Sequence, residues 1–162
     1  MSNPAPRPTK PYWLIACAAV ILLAAGTLFY HQQLSKAAAE AQAAQEAARL
    51  DYDTALINAC LPQVQEAIDN FYADYLTISP TAANYVTSVE SVTTDDNHNN
   101  ATVVLNVYPY VGPHDSVGCD RITLALSNTG TITVQDFEHL SSETLPDNLS
   151  NLLLKPLPAG QK

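Results

Sequence analysis

Only a few residues in this 162-residue chain have the types and spacing that chemistry needs. His114 and Asp115 follow Gly112-Pro113 and stand just before Gly118-Cys119-Asp120, so a His-Asp pair near a thiol raises the case of an activated nucleophile. Adjacency alone does not supply triad geometry, and the thiol has a better use. After Cys17 the only cysteines are Cys60 and Cys119, an even pair that we read as a disulfide in an oxidising compartment. Closing that loop of about 58 residues would stabilise the fold by roughly 4 kcal/mol in the chain-entropy model. Two cysteines by themselves fall short of the four ligands a zinc site normally takes. Asp95, Asp96, Asn97, His98, Asn99 and Asn100 offer oxygen ligands to calcium, yet the stretch lacks the glycine and terminal Glu of the twelve-residue calcium loop and reads as a polar turn. No P-loop, dinucleotide-binding glycine pattern, GxSxG elbow or HExxH is present. The chain is therefore expected to be non-enzymatic, with no catalytic residue, metal or cofactor, and its binding residues are not identifiable from sequence.

What positions these residues begins with a membrane segment. Tyr12 to Tyr30 contains no charged residue, and at about 1.5 Å per residue it just spans a hydrocarbon core of about 30 Å. Tyr12 and Trp13 at one end, with Phe29 and Tyr30 at the other, match the aromatic belts of a bilayer. Leu14, Ile15, Ala16 and Cys17 also resemble a lipoprotein-processing box. Only Pro11, Tyr12 and Trp13 separate Lys10 from that box, whereas a signal peptide carries its apolar stretch before the cleavage site. Residues 12–30 are accordingly expected to be a retained transmembrane helix. Arg7, Lys10 and the amino terminus place residues 1–11 in the cytoplasm.

Every acidic residue lies beyond the span, so residues 31–162 carry five Lys/Arg against sixteen Asp/Glu, 5 − 16 = −11. Such a surface repels nucleic acid and suits a basic protein partner or simple solubility. The low charge content and the single span suggest a bacterial inner-membrane protein with a periplasmic C-terminal domain. Asn100-Ala-Thr102 and Asn148-Leu-Ser150 are glycosylation sequons, which matter only in a source with that machinery.

Residues 31–50 form an Ala-rich stretch free of Gly and Pro, expected to be a helical stalk. It serves either as a spacer or as a face for a second copy, giving a homo-oligomer. From Asp51 the residues Leu56, Cys60, Val64, Ile68, Phe71 and Tyr75 recur at helical spacing and make one apolar stripe. Pro62 implies a kink near Leu61 or a new helix with Pro62 in its first turn. Strands are expected over Tyr85–Val92, Ala101–Tyr108 and Arg121–Ser127, where Ile122, Leu124 and Leu126 share one face. After Asn128-Thr-Gly130 a fourth strand begins, with Ile132 and Val134 on one face. Pro146 to Leu154 reads as a short closing helix, and residues 155–162 as a flexible tail.

The expected exported domain, residues 51–154, is thus α+β, a helix packed on a four-stranded antiparallel sheet. It resembles the cystatin-like and NTF2-like roll in architecture, without a residue motif. One membrane helix joined to such a roll is similar to assembly factors of bacterial secretion and conjugation systems. That resemblance implies a protein-binding component of a membrane assembly. Two other classes stay open: an inhibitor or immunity-type protein that neutralises a basic toxin, and a small-ligand-binding roll or weak enzyme.

Overall fold

The computed structural model describes residues 12–160. Helix α1 runs from Tyr12 to Tyr72. Among the described residues no helix is long and apolar enough to cross a membrane. Of the expected span 12–30, the side chains of residues 12–22, 24 and 25 lie outside the description, as does the expected tail 1–11. The chain divides into two compact units, Met1–Ala48 and Arg49–Lys162.

In the first unit, every side chain from Gly26 to Ala48 is exposed. Alanine supplies the helix propensity, and the Lys36–Glu40 pair at 3.9 Å adds an i,i+4 contact along the surface.

In the second unit, α1 buries Ile57, Cys60, Val64, Ile68 and Tyr72, the three- and four-residue spacing of one helix face. Pro62 lies inside the helix, which does not restart there. Its missing N–H deprives the carbonyl of Asn58 of its helix bond, at an exposed position. After Tyr72 the helix closes with Leu76 N–H donating to the Tyr72 carbonyl at 2.9 Å, and Ser79-Pro80 prevents its continuation.

The helix packs on an antiparallel sheet of β1 (Thr87–Thr94), β2 (Ala101–Val107), β5 (Gly118–Leu126) and β6 (Ile132–Ser142), in that order across the sheet. A small hairpin, β3 (Tyr110–Val111) with β4 (Asp115–Ser116), is inserted between β2 and β5. Alternation places Val103, Leu105 and Val107 of β2, with Ile122 and Leu124 of β5, against the helix. Burying each such side chain contributes roughly 1.5–3 kcal/mol. The expected α+β fold with its helix on a four-stranded antiparallel sheet is therefore present.

The fourth strand keeps its expected pattern at its start, where Ile132 and Val134 oppose Leu126 and Leu124 on one face, and breaks it further on. Register shifts against β5 insert an extra residue at Gln135 and another at Leu140. Each bulge flips the side on which later residues point, so past Gln135 it is Phe137 and His139, opposite Ile122 and Asp120, that turn inward.

A 3₁₀ turn, Asp147–Leu152, stands where a closing helix was expected. Residues 155–160, expected as a flexible tail, lie against the domain instead. The Lys155 ammonium sits 4.3 Å from the Tyr75 ring centroid and 3.4 Å from Asp74, and Leu157 packs on the core.

Candidate functional site

Two arrangements of functional side chains emerge, one on the surface and one inside. The surface one is built by the β3–β4 hairpin and the 3₁₀ turn Asn84–Val86 before β1. Tyr110 pairs with Ser116 across the hairpin and with Thr81 on its other side, which fixes its ring at the end of the sheet. The Tyr85 and Tyr110 hydroxyls are 2.6 Å apart, and Tyr85 Oη lies 3.1 Å from His114 Nδ1. The Tyr110 and His114 rings are 4.7 Å apart, and those of Tyr85 and His114 are 5.6 Å apart. The hydrogen bond to Tyr110 holds the Tyr85 hydroxyl above the usual phenol range. Tyr85 is nevertheless 63% exposed, and His114 is exposed beside it. His114 adopts φ 78°, a left-handed conformation that costs a residue with a Cβ of order 1 kcal/mol. Such a conformation persists only where surrounding contacts hold it, here the bond to the Tyr85 hydroxyl.

The interior arrangement is a chain of hydrogen bonds. The Tyr72 hydroxyl donates to Asp120 Oδ2 at 3.1 Å, and Asp120 Oδ1 meets His139 Nδ1 at 2.6 Å. His139 Nε2 lies 2.8 Å from Ser142 Oγ, which donates to the Pro158 carbonyl at 2.7 Å. Asp120 and Tyr72 are fully buried and His139 is 5% exposed, with Phe71 stacked 5.1 Å from its ring. Burial raises the Asp120 carboxyl above the ordinary carboxylate range, an effect that the bonds to His139 and Tyr72 oppose. Burial also pushes the Tyr72 phenol far up, reinforced by the Asp120 charge.

Although Asp, His and Ser follow one another as in a catalytic triad, the protons run the other way. A carbonyl has no hydrogen, so the single Ser142 proton goes to Pro158 and His139 Nε2 must donate to Ser142 Oγ. A serine nucleophile would instead give its proton to the imidazole. The Asp120–His139 pair thus keeps one proton between Oδ1 and Nδ1 and another on Nε2. This chain fastens residue 158 to β6.

The residues singled out from sequence are not gathered into one site. Cys60 and Cys119 are free thiols, which corrects the expected disulfide. Cys60 lies in the core, whereas Cys119 alternates with buried Gly118 and Asp120 and so points to the opposite face of the sheet. There it interacts with Tyr108, and burial raises both thiols above the ordinary range, which keeps them protonated. His114 turns to Tyr85 and not to Cys119, so no nucleophile is assembled. The Asp95 carboxylate accepts from the Asn99 backbone N–H at 2.7 Å and from Asn100 Nδ2 at 2.8 Å, which lowers its pKa and fits a polar turn. Among the described residues no group of three or more His, Cys, Asp or Glu could hold a metal ion.

Sequence reasoning passed over Asp120, His139 and Ser142. The signal was there for Asp120: a charge at the same parity as Ile122 and Leu124 is headed for the core and needs partners. For His139 no such signal existed, because the bulges erase parity along β6.

A family model matches residues 52–141, more than half of the chain, from the sheet-covering part of α1 to the end of β6. No curated protein and no solved structure matches. The chain belongs to the family described as "Protein of unknown function (DUF3888)".

Proposed function

We propose that this chain is a non-enzymatic, single-pass anchored protein of the bacterial inner membrane whose acidic periplasmic domain binds another protein. In this reading residues 12–30 are the membrane helix and residues 1–11 face the cytoplasm. Residues 31–50 serve as a stalk, and residues 51–154 form a roll of the cystatin-like or NTF2-like kind. The observation that carries the binding role is the exposed Tyr85–Tyr110–His114 cluster, held up by a strained His114. Tyrosine supplies large contact area at little cost in side-chain entropy, which makes clustered exposed rings good anchors for an interface. Anchoring raises the effective concentration at the membrane for a partner held there.

A ligand-binding roll draws less support, because the space between helix and sheet is filled by Ile57, Val64, Ile68, Leu105 and Ile122. The excess of acid, −11 over residues 31–162, favours a basic partner and keeps toxin neutralisation as the second reading.

Photocrosslinking in intact cells, with the reactive residue in place of Asn84, tests both. A specific partner is expected, with loss of the adduct when Tyr85→Ala and His114→Ala are combined in a domain of unchanged circular dichroism. An adduct that survives both substitutions would sink the cluster as the anchor. A membrane-assembly component in the adduct supports the first reading, and a basic toxin whose association slows steeply with salt supports the second. Alkaline phosphatase fused after Tyr30 should be active and a fusion after Lys10 inactive; the reverse would overturn the topology.

A further inference from the structure

We infer that the groove between α1 and the free edge of β6 is a docking site for an extended, lysine- or arginine-bearing segment of another protein, added as a new strand beside Ile132–Glu138. The inference does not rest on the Tyr85–Tyr110–His114 cluster, with which it shares no residue.

Edge strands offer a row of unpaired N–H and C=O groups, and proteins cover them or disrupt them. β6 is one edge of the four-stranded sheet. Its second half is covered by the chain's own C-terminal segment. Ser142 Oγ donates to the Pro158 carbonyl at 2.7 Å, and Gly160 lies so close to Leu140 that no Cβ fits between them. This cover rests on a side-chain hydrogen bond and close packing, with no backbone ladder to β6 among the described residues. Along the first half, residues 133–136 are exposed, and a groove of about 670 Å³ opens between this half and the helix. Its apolar walls include Ala67, Phe71, Val134 and Phe137, with Phe71 and Phe137 stacked at 4.7 Å. In an added strand alternate side chains would face this groove while the main chain pairs with β6.

Charge selects the occupant. Glu66 lines the groove and Asp136 stands on the exposed stretch of β6, while no Lys or Arg lines the groove. Among the described residues of this unit the basic side chains are Arg49, Arg121 and Lys155, and each is already paired, with Asp53, with Glu90 and Glu138, and with Asp74. A second copy of the chain would bring acid against acid. The bulge at Gln135 also twists the edge away from the flat geometry that edge-to-edge sheet pairing needs, a lesser obstacle to a short, pliable segment.

Hydrogen exchange of the full-length chain, followed amide by amide, tests this with an acetylated nine-residue peptide of alternating lysine and valine. The expected result is about ten-fold slower exchange at Ile132–Glu138, with no change at the other edge, β1. The same peptide with glutamate for lysine should give no protection. Glu66→Lys combined with Asp136→Lys, both exposed positions, should abolish the protection while leaving the rest of the exchange pattern intact. Protection centred on β1, equal protection by the glutamate peptide, or undiminished protection in the double variant would overturn the inference. Protection that arises without peptide as the protein is concentrated would identify a second copy as occupant and overturn it too.

Discussion

Replacing Asp120 by asparagine and by alanine separates what the buried hydrogen-bond chain needs from what it merely contains. Alanine removes two partners at once. The Tyr72 hydroxyl and His139 Nδ1 both lose the atoms they now meet at 3.1 and 2.6 Å, in surroundings where neither residue reaches water freely. Each orphaned buried group costs about 1–3 kcal/mol, so Asp120→Ala should lose about 3 kcal/mol. In a domain of this size that corresponds to a melting temperature lower by roughly 10–15 °C. Asparagine keeps every bond: its oxygen accepts from Tyr72, its amide donates to Nδ1, and Nε2–H still donates to Ser142. Asp120→Asn should therefore melt within a few degrees of wild type.

The two proteins should differ in their response to pH. Because burial raises the folded pKa of Asp120, the stability tied to its protonated form is complete below the unfolded value of about 3.9 and is lost as pH rises through the raised folded value. The amide has no such dependence. Wild type should thus lose stability relative to Asp120→Asn as pH rises above about 4, measured by urea denaturation of the full chain across that range. Parallel profiles for the two proteins, or an asparagine variant as damaged as the alanine one, would refute the proton count.

Ile68→Ala opens a cavity in the fully buried helix–sheet interface and should cost about 2–5 kcal/mol, read as a fall in the urea midpoint at unchanged slope. Denatured under non-reducing conditions, the chain should titrate all three of its thiols with Ellman's reagent; a count of one would restore the Cys60–Cys119 bridge. His114→Gly relieves a left-handed φ of 78° and should stabilise the domain by about 1 kcal/mol while weakening capture of the partner, and a variant both stabler and fully competent in binding would remove His114 from the interface.

The helix-on-sheet architecture was legible because both periods are strong: Cys60, Val64 and Ile68 mark a helix face, and Ile122 with Leu124 marks a strand face. The same alternation already argued against the disulfide. With Ile122 inward, Cys119 at odd parity must face outward, away from Cys60. What misled the expectation was starting the third strand at Arg121, which left Cys119 outside it, when β5 in fact begins at Gly118. The β3–β4 hairpin and the left-handed His114 were not legible, since two-residue strands carry no period and Gly112-Pro113 marks a turn without saying what it presents. β6 was half legible, because bulges at Gln135 and Leu140 reset parity twice. The aromatic cluster depends on Tyr85 and Tyr110 meeting across 25 residues of chain, a contact no local pattern encodes.

The turn that follows α1 is gripped by the last part of the chain. Thr77 N–H donates to the Leu152 carbonyl and Leu154 N–H donates to the Tyr75 carbonyl, both at 2.8 Å. Tyr75 and Leu154 are 79 positions apart (154 − 75), so during synthesis the grip closes only after nearly the whole domain has emerged. Until then the face bearing Ile57, Val64 and Ile68 has no finished sheet to cover it. A nascent chain arrested before residue 150 should accordingly be captured by holdase chaperones and cut readily by protease, and release past residue 160 should end both. Biogenesis, more than the equilibrium fold, is where this protein would be most exposed to damage.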